Sequence, residues 1–228
     1  MMGQASFDLI VIGAGQAGPF LAAKLAHAGK KVALIEARQL GGTCVNRGCT
    51  PTKTLRKSAR VAYMARRAAE FGVDVGPVTV NFGVAMARMR KRITDARTGL
   101  EGWLGALPGL TIHYAHGQLA GRDGADFIVQ AGEHTLRAPQ VVLNTGTRSF
   151  MPPIPGLSTV PALDSEGLLA LDELPKKLVI IGGGYISLEM AQIFRRLGAE
   201  VSVIENNPRL TSREDLDVSA AITDLLLS

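Results

Sequence analysis

The sequence predicts an α/β fold built on two βαβ units, the second incomplete. Three observations carry this expectation. Residues 7–37, FDLIVIGAGQAGPFLAAKLAHAGKKVALIEA, read as apolar strand, glycine turn, helix and second apolar strand. Residues 176–206, KKLVIIGGGYISLEMAQIFRRLGAEVSVIEN, repeat that pattern without a gap, 169 positions later. The composition is that of an ordinary globular chain, 46% hydrophobic and 20% charged over 228 residues.

In the first unit the strand ends at Gly13, and the turn continues through Gly15 to Gly18. Gly29 is placed to stop the helix, and Glu36 ends the second strand. Gly182, Gly184, Gly198 and Glu205 occupy the matching places in the second unit, with Ser187 at the third turn position. The first glycine permits a tight turn, the second a close backbone approach, and the third small residue close helix–strand packing. A helix N-terminus behind such a turn offers unpaired N–H groups to phosphate. The acid falls 23 residues after the first glycine in both copies, where it can accept from a ribose diol. One such turn is weak evidence for dinucleotide binding; two, each between strand and helix and each followed by the acid, are strong.

Between the units, Arg56–Gly72 and Phe82–Leu107 read as helices. Residues 111–121, 126–132, 134–138 and 140–146 read as short strands. Phe150–Leu157 is a proline-rich linker and a candidate boundary. The chain ends one helix past Glu205, so the second sheet is expected to be incomplete.

Charge excludes little. Eleven Lys/Arg face three Asp/Glu between Lys53 and Arg97, but they alternate with apolar residues as on the solvated face of a helix. Aromatics are 5%, which argues against base stacking and a nucleic-acid partner. No run approaches a membrane span, and the N-terminus lacks the pattern of a secretory leader, so a cytoplasmic setting is expected.

The two cysteines of the chain, Cys44 and Cys49, lie in GGTCVNRGCTPTK, Gly41–Lys53. Four intervening residues allow a disulfide, a metal half-site or two unrelated thiols. No histidine is spaced to complete a zinc set, and metal is not expected. Pro51 suits the first turn of a helix beginning near Cys49, and a helix N-terminus with Lys53 nearby would favour a thiolate there.

GAGQAG, GGTCVNRGCTPTK, NTGT with the following PIPG, and GGGYISLEMA cover nearly the whole chain in one order. Together they resemble the N-terminal half of a pyridine nucleotide–disulfide oxidoreductase, the glutathione-reductase-like class that includes lipoamide dehydrogenase and mercuric reductase. The resemblance implies two Rossmann-like dinucleotide-binding units. Residues 1–149 would be the N-terminal part of an FAD-binding domain, and 150–228 the start of an NAD(P)-binding domain. It assigns FAD to Gly13, Gly15, Gly18 and Glu36, with Gly42, Thr43 and Lys53 approaching the flavin and its phosphates and Thr145 and Gly146 adding a backbone contact. Cys49 would face the flavin and Cys44 would exchange with substrate. Gly182, Gly184 and Glu205 would bind the nicotinamide nucleotide, NAD(H) in preference to NADP(H), because Glu205 would repel a 2′-phosphate. Tyr185 would cover the flavin. Glu189 would form a buried ion pair with Lys53 beside it.

The resemblance further implies electron flow from nicotinamide to FAD to the Cys44–Cys49 disulfide and on to a disulfide or other small acceptor. Family members are homodimers with a C-terminal dimerisation domain. This chain resembles only the first half, so weak turnover alone is expected. Asn144 stands where the family commonly has Ala, and Ser149 where Pro is common. Two other readings use the same residues: a nucleotide-binding fragment without turnover, and a quinone- or oxygen-reducing flavoenzyme with idle cysteines.

Overall fold

The computed structural model describes residues 5–227. Residues 1–4 and 228, which include the outermost positions of the two expected domains and part of the N-terminus read for a leader, lie outside the described residues. The chain packs into two compact units, residues 1–51 with 90–169 and residues 52–89 with 170–228.

The first unit holds two four-stranded sheets. One is wholly parallel and runs in the order β4 (Leu110–Tyr114), β3 (Val32–Glu36), β2 (Leu9–Ile12), β8 (Val141–Leu143). In the other, β1 (Ala5–Ser6) pairs parallel with β7 (His134–Ala138), which joins β6 (Asp126–Ala131) and β5 (Gly117–Asp123) antiparallel. Alternation along β2 explains the layering. Leu9 and Val11 join a core with Ala22 and Ala23 of α1 (Gly18–His27) and Leu104 of α4 (Phe82–Gly105). Ile10 and Ile12 pack with Val129, Ala131, Leu136 and Ala138 of the second sheet. The central strands β2 and β3 are therefore buried on both faces, which is why they read as unbroken apolar runs. The order places a switch between β2 and β8, and open α/β sheets bind ligands at such a crevice beyond the strand C-termini.

Two elements differ from expectation. Residues 111–121 form two strands in different sheets, because the chain changes sheet after Tyr114. The crossing is tight at Gly117, where a Cβ would stand 2.8 Å from Ile12 Cγ2. The helix expected near Cys49 and the one read over Arg56–Gly72 are a single helix, α3 (Cys49–Arg66), and its expected end is a 3-10 turn at Ala68–Phe71. Pro51 falls in its first turn, where a missing N–H costs nothing. Leu55, Ala59 and Ala62 bury one face at helical spacing.

The second unit pairs β9 (Lys177–Ile181) in parallel with β10 (Glu200–Ile204), with α6 (Tyr185–Leu197) between them and α7 (Leu216–Leu227) after them. Ile193, Phe194 and Leu197 of α6 are buried, and the Phe194 ring lies 6.1 Å from Phe82. The two-stranded sheet leaves Val179, Ile181 and Ile204 exposed on its outer face. Among the described residues no helix is long and apolar enough to cross a membrane.

Candidate active site

The two βαβ units are built by the same hydrogen bonds. Gly13 N donates to Ile35 O at 2.7 Å, and Gly182 N to Ile204 O at 2.7 Å. Ala14 N donates to Glu36 Oε2 at 2.8 Å, and Gly183 N to Glu205 Oε2 at 2.6 Å. Arg38 N reaches Glu36 Oε1 at 2.8 Å, and Asn207 N reaches Glu205 Oε1 at 2.7 Å. Each acid thus ties its glycine turn to the end of the second strand. A carboxylate has about four lone-pair sites, so Glu36, with two bonds accepted, keeps capacity for a diol, whereas Glu205 also accepts from Asn207 Nδ2 at 2.6 Å and keeps room for a single further donor. The Asn207 amide, then that of Gly183, holds the Glu205 carboxyl below its ordinary range.

In the first unit, Gly13, Gly15 and Gly18 line the turn after β2. Ala17 precedes α1 without a side-chain cap, so the first-turn N–H groups lack a side-chain acceptor. The cysteine loop is stitched to this turn. Gly41 N donates to Ala14 O at 2.8 Å, and Gln16 Nε2 to Gly41 O at 3.2 Å. At Gly42, φ is +56° and a Cβ would stand 2.6 Å from Gly15 Cα. Thr43 lies in a short helix, α2 (Gly42–Asn46), and its carbonyl accepts from Arg47 N at 2.8 Å. Cys44 and Cys49 form a disulfide with Cα atoms 4.6 Å apart, and Cys49 is the first residue of α3.

Asn144 closes the switch point. Its N–H donates to Ile12 O at 2.7 Å and its Nδ2 to Gly13 O at 3.0 Å. Sequence reasoning gave this residue no role; an amide ending a strand opposite a glycine turn was the signal. Thr145 and Gly146 follow it, exposed beyond β8.

In the second unit, Gly184 precedes α6 and Tyr185 opens it, 78% exposed. Lys53 Nζ donates to Glu189 Oε1 at 2.6 Å and Oε2 at 2.8 Å, across 136 residues of sequence. The pair forms, but it is not buried as expected. The Lys53 side chain is 59% exposed, because its long stem carries the ammonium into solvent. Arg209 donates to Ser212 O and Glu214 O. Among the described residues no three His, Cys, Asp or Glu side chains cluster as a metal site would need.

A disulfide on a loop packed against one glycine turn, with a second such turn elsewhere in the chain, is the arrangement expected of the dinucleotide–disulfide class. Residues 7–228 match the pyridine nucleotide-disulphide oxidoreductase family, and the chain belongs to it. It is 38% identical over 222 residues to a dihydrolipoyl dehydrogenase of Chlamydia trachomatis, covering 96% of this chain and 47% of that protein. A mercuric reductase of Shigella flexneri is 34% identical over 223 residues, with 96% and 39% covered. Among solved structures, the HOCl-induced flavoprotein disulfide reductase RclA from Escherichia coli matches with a TM-score of 0.80 and 34% identity. That match spans 96% of this chain and 46% of that one. The chain spans less than half the length of these relatives.

Proposed function

We propose that this chain passes electrons from NADH through FAD to the Cys44–Cys49 disulfide, and from there to a disulfide or comparable small acceptor. The observation that carries the reading is the close approach of Gly42 to Gly15, which seats the redox loop on the first glycine turn. Residues 1–149 would form the FAD-binding part, and 150–228 the start of the nucleotide-binding part. In longer family members the acting form would be a homodimer, and a cytoplasmic setting suits a reducible disulfide.

The residues fit FAD. Gln16 and Ala17 of the turn are exposed, the α1 N-terminus has no side-chain cap, and Glu36 retains acceptor capacity for a ribose. When bound, FAD supplies a carrier that takes a hydride from nicotinamide and gives an electron pair to a disulfide. The ring formed by Cys44 and Cys49 accepts that pair with two protons and opens to two thiols. Cys49, at the start of α3, is the better-stabilised thiolate, and Cys44 is the partner left for exchange. Lys53 would approach the flavin, oriented by Glu189, and Tyr185 would cover it. Gly182 and Gly184 would take the nicotinamide nucleotide's phosphates, and Glu205 its ribose.

The preference for NADH rests on Glu205 together with Arg209, whose guanidinium is engaged by backbone carbonyls of its own loop rather than offered to a 2′-phosphate. Titrating the chain with each nucleotide checks it: tighter NADPH binding would overturn the role given to Glu205. The function is tested by loading the chain with FAD, adding NADH without oxygen and counting alkylatable thiols. Two thiols should appear as the flavin bleaches. Bleaching without new thiols would instead favour a flavoenzyme that reduces quinone or oxygen and leaves the cysteines idle.

A further inference from the structure

Between the two cysteines lies one charged residue, Arg47, and it is held from outside the loop. Its Nε stands 3.1 Å from Glu166 Oε2, and Arg38 Nη1 stands 3.7 Å from the same oxygen. Glu166 belongs to α5 (Ser165–Leu169), a short helix beyond the proline-rich stretch and within the same compact unit as the cysteines. That helix is fixed locally. Asp164 Oδ1 accepts from Gly167 N at 2.9 Å, and Leu168 and Leu169 are buried. The Gly167 bond also keeps the Asp164 carboxyl below its ordinary range. The Arg47 side chain is 21% exposed and that of Glu166 43%, so the contact is partly shielded from water.

We infer that Glu166, acting through Arg47, sets how readily the Cys44–Cys49 disulfide is reduced. This rests on the redox role proposed above. An intact disulfide carries no charge and responds little to either group. Reduction breaks the S–S bond and takes up two electrons, with two protons when both sulfurs become thiols and one when a thiolate remains. Arg47, two residues before Cys49 in the chain, would favour that thiolate through its positive charge, and the carboxylate bound to its guanidinium would offset the effect. Glu166 therefore biases the couple toward the disulfide, and Arg47 toward the reduced form. The charged groups ion-paired around the loop are Arg38 after β3, Arg47 itself and Glu166 in α5, and α3, which begins at Cys49, carries Lys53, Arg56, Lys57 and Arg60 in its first three turns. Lys53 is already engaged by Glu189.

The two charges predict shifts of opposite sign, whereas a purely structural brace predicts the same sign for both. The chain is equilibrated with graded ratios of reduced and oxidised dithiothreitol, which supplies the electrons and becomes a cyclic disulfide. Samples are acid-quenched, alkylated and weighed. Glu166→Gln should raise the reduction constant by roughly three- to tenfold at about pH 8.5, tenfold being about 30 mV for a two-electron couple. Arg47→Gln should lower it by a similar factor, and Arg47→Lys should restore most of it. Both shifts should shrink in about 1 M salt, where charges are screened beyond roughly 3 Å. They should also shrink near pH 5.5, below the usual thiol range of about 8.5, where no thiolate remains to stabilise. Shifts of the same sign in both variants, or no shift while the wild-type disulfide is reduced normally, would overturn the assignment. A wild-type disulfide that dithiothreitol cannot open would instead remove the redox reading on which it rests. Circular dichroism of each variant confirms that the compared chains are folded.

Discussion

Substituting Gly42 by Ala tests the contact that joins the cysteine loop to the first glycine turn. Two penalties add. The left-handed backbone, φ +56°, costs a residue with a Cβ about 1–2 kcal/mol. The new methyl would stand 2.6 Å from Gly15 Cα, so backbone must move, an overpacking cost of about 1–3 kcal/mol. Gly29 is the internal control. It has φ +80°, but nothing lies within 4 Å of a Cβ there, so Gly29→Ala should cost only the about 1–2 kcal/mol of the backbone penalty. Urea unfolding can be followed by Trp103, whose indole packs 5.5 Å from Phe20 in the same unit. Gly42→Ala should lower stability by roughly 2–5 kcal/mol, a large share of a domain's total. It should also weaken FAD binding by more than Gly29→Ala does, because the movement is forced onto the turn proposed to receive the pyrophosphate. Equal losses for the two variants, in stability and in flavin affinity, would refute the reasoning.

Two further outcomes are expected. Glu189→Gln should cost less than about 1 kcal/mol in urea unfolding, with the cost falling as salt rises, because the Lys53 ammonium is well solvated; a loss of several kcal/mol would mean that the pair is desolvated. Burial, and then the charge of His134, lower the pKa of His113 from its ordinary 6.5, so its neutral form favours folding. That stability is complete above about pH 6.5 and is lost as pH falls below it toward the folded-state pKa. The urea midpoint should therefore drop between about pH 7 and 5 in the wild type and drop less in His113→Gln; identical slopes would contradict the assignment.

The βαβ units were legible because their signals are local. An apolar run, then glycines at fixed spacing, then a second apolar run ending in an acid are all readable within 31 residues, and the two copies share even their backbone bonds. The disulfide was open in the sequence as one of three choices, and the family resemblance selected it. What remained hidden depends on distant partners. Nothing near Arg47 announces Glu166, which arrives on a helix of barely more than one turn. Asn144 looked like a neutral departure, because its bond to the Gly13 carbonyl exists only once β8 lies beside β2. The division of residues 111–121 between two sheets was invisible to periodicity, which reports alternation but not which neighbour a strand will choose. The Lys53–Glu189 pair was expected from the resemblance, while its exposure depends on three-dimensional surroundings that spacing does not encode.

If Cys44 and Cys49 exchange an electron pair with the flavin, the reducing capacity of the chain exceeds that of the flavin alone. Loaded with FAD and titrated with dithionite in the absence of oxygen, the wild-type chain should take up two electron pairs before excess reductant persists. A Cys44→Ser, Cys49→Ser variant should take up one. Uptake of a single pair by both chains, with the disulfide still intact by alkylation, would contradict it.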